Sequence, residues 1–118
     1  MGILSESVND PGGDDDLQTV EMLILDASAA TDDGNFRGAL EGFRWALELT
    51  QQIFGEDVEL AECRRSISDI YKQLGDLSSA VSELSGATRT FESILGTEHP
   101  SAISSRRSLE QLIQSSQK

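Results

Sequence analysis

The sequence predicts an all-α fold of antiparallel helix-turn-helix repeats with about five helices. Shifted by 41 residues, the segment 34–65 matches the segment 75–106 at seven identical positions, most of them small or apolar. The only prolines are Pro11 and Pro100, so the strongest helix breaker is absent between them. Apolar residues there recur at spacings of three and four, as on one face of a helix. An internal repeat of this length is typical of stacked helical arrays. The identical pairs are Gly34/Gly75, Ala39/Ala80, Ala46/Ala87, Ile53/Ile94, Gly55/Gly96, Ala61/Ala102 and Arg65/Arg106.

Turn residues divide the chain into the five predicted helices. The first extends from about 17 to 31 and ends at Asp32, Asp33 and Gly34. The second covers 36–54, and Gly55 follows it as a C-terminal cap. The third runs from about 58 to 74, and the fourth covers 77–95 before Gly96. The last begins near Pro100, which suits a first helical turn, and continues to about 115.

Charge separates an N-terminal arm from the helical domain. The net charge is −12, and residues 1–36 contain nine acids and neither Lys nor Arg. Residues 1–16 combine these acids with Gly, Pro and Ser, which predicts an acidic flexible arm ahead of a domain at 17–116. Acidity of this kind opposes binding to nucleic acid or to an anionic membrane, and it favours either simple solvation or a basic partner.

The repeat resembles the tetratricopeptide repeat (TPR) family. Residues 61–91 carry Tyr71 late in the first helix, Gly75 at the turn, and Ala80, Leu84 and Ala87 along the second helix, as in that family's pattern. The similarity covers residues 20 to about 113, as two repeats plus a terminal helix. The long period and the junction LGTEHPSA at 95–102 resemble the kinesin light chain subclass. The usual helix A tryptophan is absent from both repeats.

The resemblance implies a right-handed superhelix with a concave groove that binds a peptide or protein segment. The implied groove residues are Ile24, Ser28 and Thr31 from the first helix, Arg65, Asp69 and Lys72 from the third, and Arg106, Arg107, Glu110 and Ile113 from the last. Each of these could equally be an ordinary solvated residue. TPR domains of the carboxylate-clamp type need several Lys and Asn side chains in the groove. The matching positions hold Ile24, Ser28, Ser66 and Ile103, with Arg107 as the one suitable cation, which argues against a co-chaperone of that type.

Catalytic chemistry has little support in the sequence, so we predict neither an enzyme nor a cofactor or metal site. His99 precedes Pro100 and is predicted to begin a helix. Cys63, the single cysteine, is predicted to be a small buried residue rather than a reactive thiol. An internal disulfide is therefore impossible, which favours a reducing, cytoplasmic location.

The predicted function is a non-enzymatic protein-interaction module or adaptor, acting as a subunit of a larger assembly. The apolar run Met22-Leu23-Ile24-Leu25 has no preceding repeat to cover it. The alternative is therefore a structural protein that self-associates through its open repeat ends, without a separate peptide ligand. Trp45 lies near the convex side, where it either packs under the next helix or anchors a partner.

Overall fold

The computed structural model describes residues 14–55 and 57–117, and these residues form five α-helices without a β-strand. The prediction of an all-α helical repeat fold is confirmed. The first thirteen residues of the predicted arm lie outside the described residues, and its last three belong to the first helix. The helices are α1 (Asp14–Asp32), α2 (Phe36–Phe54), α3 (Val58–Gln73), α4 (Leu77–Leu95) and α5 (Pro100–Ser116).

Capping side chains and glycines set the helix boundaries. The turn between α1 and α2 and the turn between α3 and α4 share one design: a glycine at positive φ, Gly34 (+82°) or Gly75 (+85°), followed by the N-cap of the next helix. In the second of these turns, Asp76 Oδ1 accepts a hydrogen bond from the Ser79 amide at 3.1 Å. These local signals explain why the predicted bounds of α2 and α4 are reproduced.

The entry to α5 also agrees with its prediction. His99 is the N-cap residue, and its Nδ1 accepts a hydrogen bond from the Ser101 amide at 3.1 Å. Pro100 occupies the first turn, where its missing N–H costs nothing. The prediction that His99 begins a helix is confirmed.

Each helix packs chiefly on its neighbours in the chain, which gives an elongated stack of 61 × 34 × 18 Å. One apolar cluster joins α1, α2 and α3, and a second joins α3, α4 and α5. Tyr71 of α3 contacts both clusters. Small residues dominate the closest contacts. The residues with no exposed surface include Ala39, Ala46, Ala61, Ala80, Ala87 and Ala102.

Two buried hydroxyl contacts supplement this packing. Ser68 Oγ donates to the Ala80 carbonyl at 2.7 Å, which joins α3 to α4. The Thr88 and Ser105 hydroxyls are 2.7 Å apart and join α4 to α5. The hydroxyls of Ser68, Thr88 and Ser105 can be buried because each finds a partner across a helix contact.

The register of α5 differs by one residue from the sequence repeat. In α3, the side packed toward α2 contains Leu60, Cys63, Ile67 and Ile70, all at most 2% exposed. In α5, the side packed toward α4 contains Ala102, Ser105, Leu109 and Leu112. The two sets match at a separation of 42 residues, not 41. One residue corresponds to about 100° around a helix, so α5 presents a different face to the groove than the repeat predicts.

Two large apolar side chains of α1 are exposed, and one of them, Met22, occupies a position that α3 buries. Met22 and Leu25 are 63% and 68% exposed, whereas Cys63, the counterpart of Met22, is 2% exposed. The cause is the stack itself, because α2 covers this side of α3 and the described residues contain no helix before α1. None of the described helices is long and apolar enough to span a membrane.

Candidate functional site

The structure contains a groove formed by α1, α3 and α5, which lie side by side along one face of the stack. It comprises two adjoining depressions of about 180 and 220 Å³. Phe43 of α2 lies beneath the first and Leu84 of α4 beneath the second, at equivalent positions in the two repeats. The depressions are therefore two copies of one structural unit.

Short polar side chains line most of the groove. Its hydroxyl and amide groups come from Ser28, Thr31, Ser66, Ser108, Gln111 and Ser115. These side chains are small enough to let an extended segment approach the helices, and they can donate or accept hydrogen bonds. The lining is therefore suited to a peptide backbone.

Asp69 of α3 lines both depressions and so lies at the centre of the groove. Burial raises the pKa of its carboxyl group, while the charges of Lys72 and Arg65 partly offset the shift. Asp32 adds a second carboxylate at the α1 end, and Lys72 adds a cation on the α5 side. The groove thus changes from acidic to mixed charge along its length.

The structure brings four of the predicted groove residues together in this groove: Ser28, Thr31, Asp69 and Lys72. Ile24 is half-buried and packs against the cluster of α1, α2 and α3. Arg65 is also half-buried, with its guanidinium carbon 5.8 Å from the centroid of the Phe91 ring. Both of these side chains thus contribute to packing.

The four predicted residues of α5 do not line the two depressions. Arg106 donates to Glu92 Oε2 from Nε at 2.8 Å and from Nη2 at 2.6 Å. Arg107 lines a third depression with Pro100 and Ile103, which adjoins the second because the two share Ser108 and Gln111. Glu110 and Ile113 are exposed. The one-residue shift in the register of α5 is the reason that these four residues lie beside the two depressions and not within them.

Residues that the repeat did not identify, chiefly Ser108 and Gln111, take the α5 positions of the groove. The signal that could have identified them is the apolar pattern of α5 itself. Ala102, Leu109 and Leu112 follow Leu60, Ile67 and Ile70 by 42 residues. An alignment of α3 with α5 that rests on Arg65 and Arg106 alone assigns the wrong side of α5 to the groove.

On the opposite side of the stack, Trp45 is 66% exposed. Of the two interpretations offered by the sequence, packing under the next helix is wrong. The indole instead borders an open depression with Glu41, Arg44 and Glu48 of its own helix. The tryptophan remains a candidate contact for another molecule.

Potential metal ligands and the single thiol can be located within the described residues. No three His, Cys, Asp or Glu side chains in this part of the chain are grouped as metal ligands. Cys63 is 2% exposed, as predicted for a buried small residue. Burial, followed by the negative charges of Glu59, Asp57 and Glu62, raises the pKa of its thiol to about 12.

We therefore expect Cys63 to resist alkylation. At pH 8, iodoacetamide should label less than about a tenth of native chains in the time that labels a urea-unfolded chain completely. The raised pKa also means that the native state holds this proton more tightly. Its stabilising contribution is full below the unfolded pKa of about 8.5 and is lost as the pH rises toward about 12. Equal labelling rates in the native and unfolded chains would contradict this prediction.

Comparison with known proteins supports the fold and leaves the family open. No family model and no curated protein matches the sequence. The chain is similar to the crystal structure of BtubC (BKLC) from P. vanneervenii, a bacterial kinesin light chain-like protein, with a TM-score of 0.75 and 23% sequence identity. The match covers 81% of this chain and 38% of that one, so this chain spans less than half of its length. The conclusion is a TPR-like helical repeat fold.

Proposed function

We propose that this chain is a non-enzymatic adaptor module that binds an extended segment of another protein in the groove of α1, α3 and α5. The observation that carries the proposal is the repetition of one polar depression, with Asp69 shared between its two copies. A repeated site suits a ligand that is itself periodic, such as an extended peptide. The resemblance to kinesin light chain repeats supports this proposal, as does the similar fold of BtubC (BKLC).

The proposed segment carries a basic residue opposite Asp69. The net charge of −12 steers cations toward the protein, and Asp32 and Asp69 supply carboxylates within the groove. Lys72 then favours an acidic or carbonyl group further along the segment. A reducing cytoplasm remains the proposed location.

The test is a selection of random twelve-residue peptides displayed on phage, followed by calorimetry and NMR on the selected peptides. We expect amide shifts to concentrate at Ser66, Asp69 and Gln111. Asp69→Lys should weaken binding about tenfold or more, because it reverses the central charge. Glu98→Lys makes the same charge change in an exposed turn, and it should weaken binding less than about twofold. Shifts centred outside the groove, or equal losses in both variants, would refute the proposal.

The same peptides should also bind more weakly at low pH. Because the pKa of Asp69 is raised, its charge is lost at a higher pH than that of an ordinary aspartate. As the solution is acidified from pH 7, affinity should therefore begin to fall at a higher pH than an ordinary aspartate would cause, and Asp69→Asn should remove most of this pH dependence. An unchanged pH profile in that variant would exclude Asp69 as the binding group.

Self-association through the ends of the stack is the second candidate function. The exposed apolar side chain of Met22 favours it, since a preceding helix would cover this position in a longer stack, as α2 covers Cys63. Light scattering of the wild type and of Met22→Ser tests this alternative. A monomer at all concentrations would exclude it.

A further inference from the structure

The outer side of α2 presents an unusual combination of an exposed indole and two carboxylates. Trp45 lies between Glu41, one turn before it, and Glu48, one turn after it. Arg44 is directed away from this group, because its guanidinium lies over the Tyr71 ring and donates a hydrogen bond to the Tyr71 hydroxyl. The indole and both carboxylates therefore face solvent.

At the equivalent position on α4, the surface forms a depression. Gly86 is the counterpart of Trp45, and around it lies a depression of about 400 Å³. Arg64 and Arg89 border this depression, together with short hydroxyl side chains. Arg64 is paired with Glu83 at 3.3 Å, while Arg89 is exposed. The outer side of α4 thus combines free volume with positive charge.

We infer that Trp45 of one copy of this chain inserts into the depression at Gly86 of a second copy. The Arg64 side chain packs over Gly86, with its Cδ and Nη1 at 3.4 and 3.6 Å from the position of a Cβ there. The face of the inserted indole therefore meets guanidinium groups, which are favourable partners for an aromatic ring. The charges of the two surfaces are also complementary. If the helices run parallel, Glu48 comes to lie beside Arg89; if they run antiparallel, Glu41 does so instead.

The contact joins two different surfaces of the same chain. It closes into a dimer if two copies exchange the contact about a two-fold axis, and it produces larger assemblies if it propagates in one direction. Leu84 faces the groove, and Gly86 is two residues, about 200°, further around α4. Self-association therefore leaves the grooves free and presents more than one of them together, which increases avidity for a partner with several binding segments.

The test is sedimentation equilibrium over about 10 µM to 1 mM, the range of weak specific contacts. We expect the average mass to rise with concentration above that of the monomer, to a plateau at two copies for a reciprocal dimer and beyond it for an open chain. Trp45 is the only tryptophan, so its emission reports the contact directly. The emission maximum should shift to shorter wavelength as the mass rises, and acrylamide quenching should fall. A constant monomer mass with unchanged emission overturns the inference.

Single substitutions distinguish association through Trp45 and Gly86 from association through α1 at the end of the stack. Trp45→Ser should weaken association about tenfold or more, as for an aromatic residue at the centre of an interface. Gly86→Leu fills the depression and should have the same effect. Because its side chain also displaces Arg64, whose Cδ lies 3.4 Å from a Cβ at this position, the helical spectrum of this variant is compared with that of the wild type. Met22→Ser changes an equally exposed apolar residue on α1 and should leave association unchanged. If Met22→Ser abolishes association and Trp45→Ser does not, the contact lies elsewhere.

Reversing the charges on both surfaces should restore association. Such a recovery would not occur if the first substitution had simply damaged the fold. Arg89→Glu alone should weaken association, because Glu41 or Glu48 then faces a like charge. Adding Glu41→Arg and Glu48→Arg to that variant should restore the concentration dependence of the wild type. Failure of the triple variant to recover, with its helical spectrum intact, counts against the pairing.

Discussion

Replacing Phe91 by alanine is expected to lower the free energy of unfolding by about 3–5 kcal/mol. The Phe91 side chain is completely buried in the cluster that joins α3, α4 and α5. Its removal leaves a cavity, because the surrounding helices are fixed by their own close contacts. A domain of this size has a total stability of about 5–15 kcal/mol. Guanidinium denaturation followed by circular dichroism measures the loss.

Phe54→Ala provides the matched control for this prediction. The chemical change is the same, but the Phe54 side chain is 43% exposed at the end of α2. Its loss should cost about 1 kcal/mol or less, since part of the ring is already in contact with water. Similar costs for the two variants would mean that α4 and α5 do not pack as described.

The second large effect concerns two adjacent residues of α5. Leu112→Ala is expected to cost about 2–4 kcal/mol, because Leu112 is 6% exposed and packs against α4. Ile113→Ala should cost about 1 kcal/mol or less, because Ile113 is 36% exposed. The comparison tests the register of α5 with residues that differ by a single step along the helix.

The same denaturation experiment decides between the two registers. The 42-residue register places Leu112 in the position of Ile70, against the preceding helix. The 41-residue register of the sequence repeat would place Leu112 in the position of Tyr71 instead. The 41-residue register would also place Gln111 in the buried position of Ile70 and Ile113 in the exposed position of Lys72. A larger loss for Gln111→Ala than for Leu112→Ala would therefore restore the repeat-based register and move the groove face of α5.

Most of the fold could be predicted from the sequence because the residues that begin and end each helix act over a few positions along the chain. Asn35, Asp57 and Asp76 cap their helices through contacts three residues away, and glycines end the preceding helices. Such contacts are visible in a short stretch of sequence. The single difference of several residues is the start of α1 at Asp14, where a run of aspartates favours a helix N-terminus before the first apolar residue.

The groove was only partly predictable because its α5 side depends on a rotation about the helix axis. The repeated arginines, Arg65 and Arg106, suggested one register, whereas packing against α4 imposes another. Arg106 is held by Glu92, a partner that the first repeat does not supply at the equivalent position, Gln51. Identity between exposed residues is thus weaker evidence for a helix face than the spacing of buried ones.

The exposure of Trp45 could not be decided from the sequence either. A tryptophan on an amphipathic helix can be covered or open, and the answer depends on which helices lie beside it. Its counterpart Gly86 shows that the fold itself needs no large side chain at this position. The tryptophan is therefore dispensable for the stack.

The position of α3 in both apolar clusters has a consequence for how the chain folds. Extensive contacts join only helices that are consecutive in sequence, so ordering one helix requires the closure of short loops alone. Chains with such low contact order fold within about microseconds to milliseconds. Since α3 is the one helix that belongs to both clusters, its docking links two otherwise separate halves into one cooperative unit. Loss of α1 or α5 would remove an end of the stack, whereas loss of α3 would divide it.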